Sequence, residues 1–166
     1  MANEYLKRTP TSTGNRKVWT WSGWVKRNVI SNDNQCPFSA GTDYYALRFQ
    51  TTDAFRIINF NAGSAKENYI TSQRFRDVGS WIHVLVTLNT TAENSSQRIK
   101  LYVNGAEITD FSTSNAPQAN DDTPINDSDH THWIGVRNTA GTTLQQYFQG
   151  EITDVFLVDG QALTPE

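Results

Sequence analysis

Four aspartates fall within the ten residues Asp121-Asp122-Thr123-Pro124-Ile125-Asn126-Asp127-Ser128-Asp129-His130, and no Lys or Arg occurs between Lys100 and Arg137. Carboxylates gathered in this way can accept hydrogen bonds from a hydroxyl-rich ligand or offer hard oxygen donors to a cation, although their spacing is not that of an EF-hand loop. Tyr44 and Tyr45 follow a polar run over 31–43. Their rings suit stacking on a sugar, so Tyr44, Tyr45, Asp121 and Asp122 form the expected ligand-binding set. His130 and His132, with Asp127 and Asp129 close by, have the residue types of a transition-metal site but lack a third, distant ligand.

Charge of the opposite sign lies at the start of the chain. Six of the fourteen Lys and Arg are Lys7, Arg8, Arg16, Lys17, Lys26 and Arg27. An N-terminal arm carrying Lys7, Arg8, Arg16 and Lys17 is therefore expected to dock on the acidic loop of a neighbouring copy or on a carrier shell, more weakly as salt rises. Glycoside hydrolysis would need two carboxylates facing one cleft. Glu151 and Asp154 are three apart on one expected strand, as are Glu107 and Asp110, which puts the members of each pair on opposite faces. No catalytic residue is assigned.

The elements that must position these groups read as strands separated by turns. Strands are expected over 18–25, 44–50, 54–60, 69–72, 81–88, 98–103, 106–109, 132–137 and 146–158. Asn104-Gly105 is the strongest hairpin signal. In the first strand Trp19, Trp21 and Val25 share one face; in the fifth Ile82, Val84, Val86 and Leu88 point inward. Trp24, Trp81 and Trp133 are expected in the core, and Trp19 and Trp21 could meet a sugar only if their face is open. Gly150 marks a bulge or a close backbone approach. Residues 111–131 carry two prolines and no convincing element, and loops of that length tend to be functional.

Composition agrees. A chain of 166 residues implies one domain, 1–166, with an arm over 1–17. Hydrophobic residues make up 37%, charged residues 19% and aromatics 11%, with the remainder rich in Thr and Asn, so the fold class is all-β. A net charge of -3 argues against nucleic acid as partner. Cys36 is the single cysteine, which excludes an intrachain disulfide. No apolar run reaches the length of a signal core or a membrane span, so synthesis in a host cytoplasm without membrane insertion is expected.

Four segments carry a resemblance. Arg16-Lys17-Val18-Trp19-Thr20-Trp21-Ser22-Gly23-Trp24-Val25-Lys26-Arg27 resembles the first core strand of concanavalin A-like, or laminin-G-like, jelly rolls. Gly79-Ser80-Trp81-Ile82-His83-Val84-Leu85-Val86-Thr87, Leu101-Tyr102-Val103-Asn104-Gly105 and Phe148-Gln149-Gly150-Glu151-Ile152-Thr153-Asp154-Val155 with Leu163-Thr164-Pro165-Glu166 resemble its later strands and tail. The resemblance implies a two-sheet antiparallel β-sandwich, a packed or hydrogen-bonded strand histidine at His83, and calcium at loop carboxylates, here Asp127 and Asp129. Glucanases of this fold use Glu-x-Asp-x-Glu, which is absent. A narrower likeness, in Tyr5-Leu6-Lys7-Arg8-Thr9-Pro10, Gly14-Asn15-Arg16-Lys17 and Phe156-Leu157-Val158-Asp159-Gly160-Gln161-Ala162-Leu163-Thr164-Pro165, is to lectin-like modules of marine bacteriophage structural proteins. It implies a non-enzymatic module on a virion surface, a capsid decoration or tail-associated protein. Its partners would be other virion proteins, further copies of itself or host-surface glycans. A dedicated carbohydrate-binding lectin is the alternative, a glycoside hydrolase the third. Ending at Glu166, the chain is expected to be a free-standing subunit.

Overall fold

The computed structural model describes residues 4–42, 45–61, 64–140 and 143–166, apart from the side chains at 61, 64 and 140. The strands are β1 (Leu6–Arg8), β2 (Val18–Arg27), β3 (Gln35–Ala40), β4 (Tyr45–Phe49), β5 (Ala54–Asn61), β6 (Ser64–Arg74), β7 (Trp81–Asn89), β8 (Ile99–Val103), β9 (Ala106–Ile108), β10 (Phe111–Asn115), β11 (His132–Ile134), β12 (Arg137–Ala140), β13 (Thr143–Gln145) and β14 (Gly150–Asp159). Two antiparallel sheets, β1-β11-β3-β4-β5-β6-β10 and β14-β2-β7-β8-β9, form a sandwich, with β12-β13 as a separate hairpin. The all-β, two-sheet expectation is met.

Side-chain alternation builds the core between the sheets. From β2 come Trp19, Trp21 and Val25, from β7 Val84, Val86 and Leu88, and from β4 and β5 Tyr45, Leu47, Phe49, Phe55 and Ile57. Trp19 and Trp21 are thus closed to any sugar. Gly23 makes room for the second: a Cβ there would meet the Trp21 ring at 3.0 Å. At Gly150 a Cβ would collide with the Lys26 carbonyl, so the close backbone approach expected there is present. Asn104 (φ 50°) and Gly105 (φ 82°) make the expected tight hairpin.

Several elements differ from their expectation. Residues 35–40 lie in a run read as polar loop, yet β3 is buried throughout and sits between β11 and β4. Pro37 is tolerated because the register shifts between Gln35 and Phe38, so its missing N–H falls at a bulge. The stretch 111–131 begins with a strand, β10, which pairs with β6 through an edge-to-face contact of Phe111 on Tyr69 with centroids 5.2 Å apart. The N-terminal arm is no free arm from Leu6 to Arg8: β1 pairs with β11 of its own chain.

Trp24 and Trp81, expected inside, lie on the outer face of the five-stranded sheet, 40% and 39% exposed. They alternate with the buried set, and polar neighbours cover part of each ring. Lys26 Nζ sits 5.6 Å over Trp81, and the His83 ring lies 5.2 Å from Trp24 while its Nε2 bonds Ser22 Oγ at 2.8 Å. Trp133 is buried as expected.

Candidate functional site

The loop 116–131 closes one end of the sandwich and is held by its own inward residues. Ile125 is fully buried in the core. Trp19 Nε1 donates to Thr123 Oγ1 at 3.1 Å, and that hydroxyl donates to the Arg16 carbonyl at 2.8 Å. Arg16 answers with Nε to the Thr123 carbonyl at 2.8 Å and Nη2 to Asp127 Oδ2 at 3.1 Å. Asn126, at φ 60°, donates from Nδ2 to the Asn15 carbonyl and to Asp159 Oδ1, both at 3.0 Å. The backbone N–H of Asn126 donates to His132 Nε2 at 3.1 Å, so the ring hydrogen sits on Nδ1 and is donated to the His130 carbonyl at 3.0 Å.

A polar cleft of about 210 Å³ opens between this loop and the sheet, lined by Arg16, Asn59, Lys66, Asp121, Asp122, Pro124 and His130. Donors and acceptors of both charges converge on it. Its floor is unusual for a sheet interior. Tyr45, Asn59 and Glu67 lie side by side across β4, β5 and β6. Glu67 has no exposed surface and neither of its carboxylate oxygens has a hydrogen-bond partner. Burial pushes its carboxyl up to about 8, with the Asp121 charge adding to the effect and Tyr45 opposing it. The Tyr45 hydroxyl faces that carboxyl, and burial together with Glu67 drives it well above the usual phenol range, although the two groups stand outside good hydrogen-bond geometry.

The sequence-predicted residues are therefore sorted by the fold. Asp121 and Asp122 come together in the cleft. Tyr45 does not join them as a stacking ring: it is buried, edge-on to Trp19 with centroids 5.4 Å apart, because β4 begins there and alternation turns it inward. Tyr44 lies outside the described residues. Arg16, expected to dock on another molecule's acidic loop, is tied to the acidic loop of its own chain. Lys17 gives its backbone N–H to Asn15 Oδ1 at 3.0 Å, while Lys7 and Arg8 stand exposed on β1.

Asp127, expected with Asp129 to hold calcium, is engaged within its own chain. The Asp127 carboxylate is spent on Arg16 and on the Asp129 N–H at 3.0 Å, and among the described residues no three His, Cys, Asp or Glu side chains group as ligands. The cleft residues that sequence reasoning missed are Asn59, within an expected strand, and Lys66, outside any expected element; the buried Glu67 lies beside Asn59 and was not singled out either. Only the placing of Glu67 in step with Tyr69 and Thr71 signalled an acid on an inward face.

Comparison with known proteins places this geometry. No curated protein matches the chain. Among solved structures, the native heptameric SAP-like pentraxin from Limulus polyphemus is 18% identical, with a TM-score of 0.65 over 97% of this chain and 71% of that one. The Ruminococcus gnavus IT-sialidase CBM40 bound to alpha2,3 sialyllactose is 15% identical, with a TM-score of 0.61 over 96% and 93%. Trypanosoma rangeli sialidase matches at 16% identity and a TM-score of 0.56, this chain spanning 22% of its length. At these identities the likeness is one of fold. Residues 2–166 match the family Laminin_G_3 of the concanavalin A-like lectin/glucanases superfamily, and the chain belongs to that family.

Proposed function

We propose that the protein is a non-enzymatic carbohydrate-recognition module carried on the surface of a phage-like virion, as a capsid decoration or tail-associated subunit, and that it binds host-surface glycan in the cleft beneath the loop 116–131. The observation that carries the reading is the convergence of Arg16, Asn59, Lys66, Asp121, Asp122 and His130 on one polar cleft. Sugar hydroxyls act as donor and acceptor at once, and a cleft offering both suits them. The lectin-like fold and the sialyllactose bound to the CBM40 neighbour favour the same class of ligand. The heptameric pentraxin makes self-association a reasonable accompaniment, since weak single sites gain from repetition. The virion setting rests on the sequence likeness to phage structural modules.

The binding test is a glycan array read with the chain and its Asp122→Ala and Trp24→Ala variants. The reading expects at least one glycan class retained by Trp24→Ala and lost by Asp122→Ala. Loss on Trp24→Ala alone would move the site to the outer sheet face, and silence across a broad array would remove glycan binding. Co-purification with particles at regular lattice positions tests the virion setting separately.

A further inference from the structure

A second cavity meets the same loop through His132 and is of opposite character. β1 and β14 are the edge strands of the two sheets, and the flank between them is open. Here a cleft of about 300 Å³ runs between the sheets, walled by Trp21, Phe38, Ile134, Val155 and Leu157. That volume is at the lower end of the range for small-molecule sites. No acid lines it, in a chain whose net charge is -3, and its mouth carries Lys7 and Arg8. β1 pairs Leu6 with Ile134 and Arg8 with His132, so alternation puts Leu6 and Arg8 on the cleft side. Neither Lys7 nor Arg8 forms an ion pair among the described residues.

Two polar side chains sit in the wall. Both nitrogens of His132 are spent, Nε2 on the Asn126 N–H and Nδ1 on the His130 carbonyl, which keeps the ring neutral and removes it as a partner for an anion. Trp21 is fully buried, and its Nε1–H has no acceptor among the described residues.

We infer that this flank binds a single-chain apolar carboxylate, a medium-chain fatty acid, with its chain against the Trp21, Phe38 and Leu157 walls and its head at Arg8, while Lys7 on the other face of β1 adds positive charge at the mouth. A sugar would find too few polar partners here. An added polypeptide strand is disfavoured at both edges: β1 is three residues long and carries two cations, and β14 is broken by a register shift between Thr153 and Phe156 with Asp154 at φ 51°.

The test titrates the full chain with decanoate below its micelle concentration, followed by tryptophan emission and calorimetry, with decanol and decyltrimethylammonium as comparison ligands. The inference expects saturable decanoate binding in preference to the cationic amphiphile. The double variant Lys7→Ala/Arg8→Ala should bind decanoate about tenfold more weakly, the size of one charge-assisted contact, with decanol unchanged. Val155→Trp, which fills the cleft, should lose both ligands; Leu6→Trp at the exposed mouth does the same without touching the core. Absence of decanoate binding, equal affinity for decyltrimethylammonium, or undiminished binding by folded Val155→Trp and Leu6→Trp would each overturn it.

Discussion

A buried acid lies at each end of the β4–β5 hairpin, Asp53 in its turn and Glu67 on β6 beside its open end, and the two acids are treated in opposite ways. At the turn between the strands, Asp53 accepts from Nη1 and Nη2 of Arg27 at 3.2 Å and from Nε of Arg76 at 3.0 Å. Arg27 is completed in turn by the Phe75 carbonyl at 2.6 Å, by Gln35 Oε1 at 3.3 Å and by the Phe49 ring 4.9 Å from its guanidinium carbon. Beside the far end of that hairpin, on β6, Glu67 is also buried, with neither oxygen satisfied. The difference shows what a sheet interior tolerates: a carboxylate when both of its oxygens are bonded to cations, and otherwise a carboxyl that keeps its proton. The Asp53 end is built for stability, while the Glu67 end sacrifices some of it beneath a polar cleft.

The strongest way to break the comparison is to orphan Arg27. Asp53→Ala leaves a buried guanidinium without its counter-ion and should cost about 3 to 5 kcal/mol in urea unfolding at neutral pH. A double variant, Asp53→Ala with Arg27→Met, should recover part of that loss, because the uncompensated charge is gone. A full additive loss in the double variant would mean that packing, and not pairing, holds this end.

Glu67→Gln should act in the opposite direction. The folded carboxyl is raised from 4.5 to about 8, so the native state holds a proton that the unfolded chain has released. Stability contributed by that proton is complete below about pH 4.5, falls as pH rises and is gone once pH passes about 8. Glu67→Gln removes the slope and should exceed the natural chain by on the order of 5 kcal/mol above pH 8, with the gap closing toward pH 4.5. Urea titrations at several pH values read this directly. If Glu67 also serves the cleft, the stabilised variant should bind glycan less well, the usual exchange of stability against function.

Between these extremes stands the lock on the acidic loop. Thr123→Val leaves Trp19 Nε1 without its acceptor, while the Arg16 carbonyl keeps the Thr123 N–H, and should cost about 1 to 2 kcal/mol. Arg16→Ala should cost about 1 kcal/mol, since Arg16 is only partly buried, but should loosen the loop enough to raise amide exchange at Thr123 and Asn126.

How far the sequence could be read follows the same physics. Strands whose pattern alternates, such as β2, β7 and β8 with its Asn104-Gly105 turn, were legible because periodicity and turn chemistry are local. β3 was not, because Pro37 and its polar neighbours mask a strand whose burial is decided by β11 and β4 on either side. Asp121 and Asp122 were legible as a site because acid density is visible in one dimension. The bond between Arg16 and Asp127 joins residues 111 positions apart, and so the opposite charges at the two places were read as an attraction between molecules. Tyr45 was assigned to the rim and Glu67 was passed over for one reason: a strand boundary fixes which of two faces a residue takes, and one step of register exchanges rim for core.

The smallest effect isolates burial from charge. Lys100 and Glu107 form an ion pair at 3.2 Å on β8 and β9, the same chemistry as the Arg27 and Asp53 pair at the same distance, with about a third of each side chain in solvent. Water already solvates both groups, so Glu107→Gln releases Lys100 to solvent instead of stranding it and should change stability by less than about 0.5 kcal/mol, vanishing in high salt. Asp53→Asn under the same conditions should keep nearly all of its cost in high salt, because ions do not reach the Arg27 cradle. If the two pairs responded alike to salt, the Asp53 end would be wetter than its packing implies, and the contrast with Glu67 would be one of partners alone and not of partners within a dry interior.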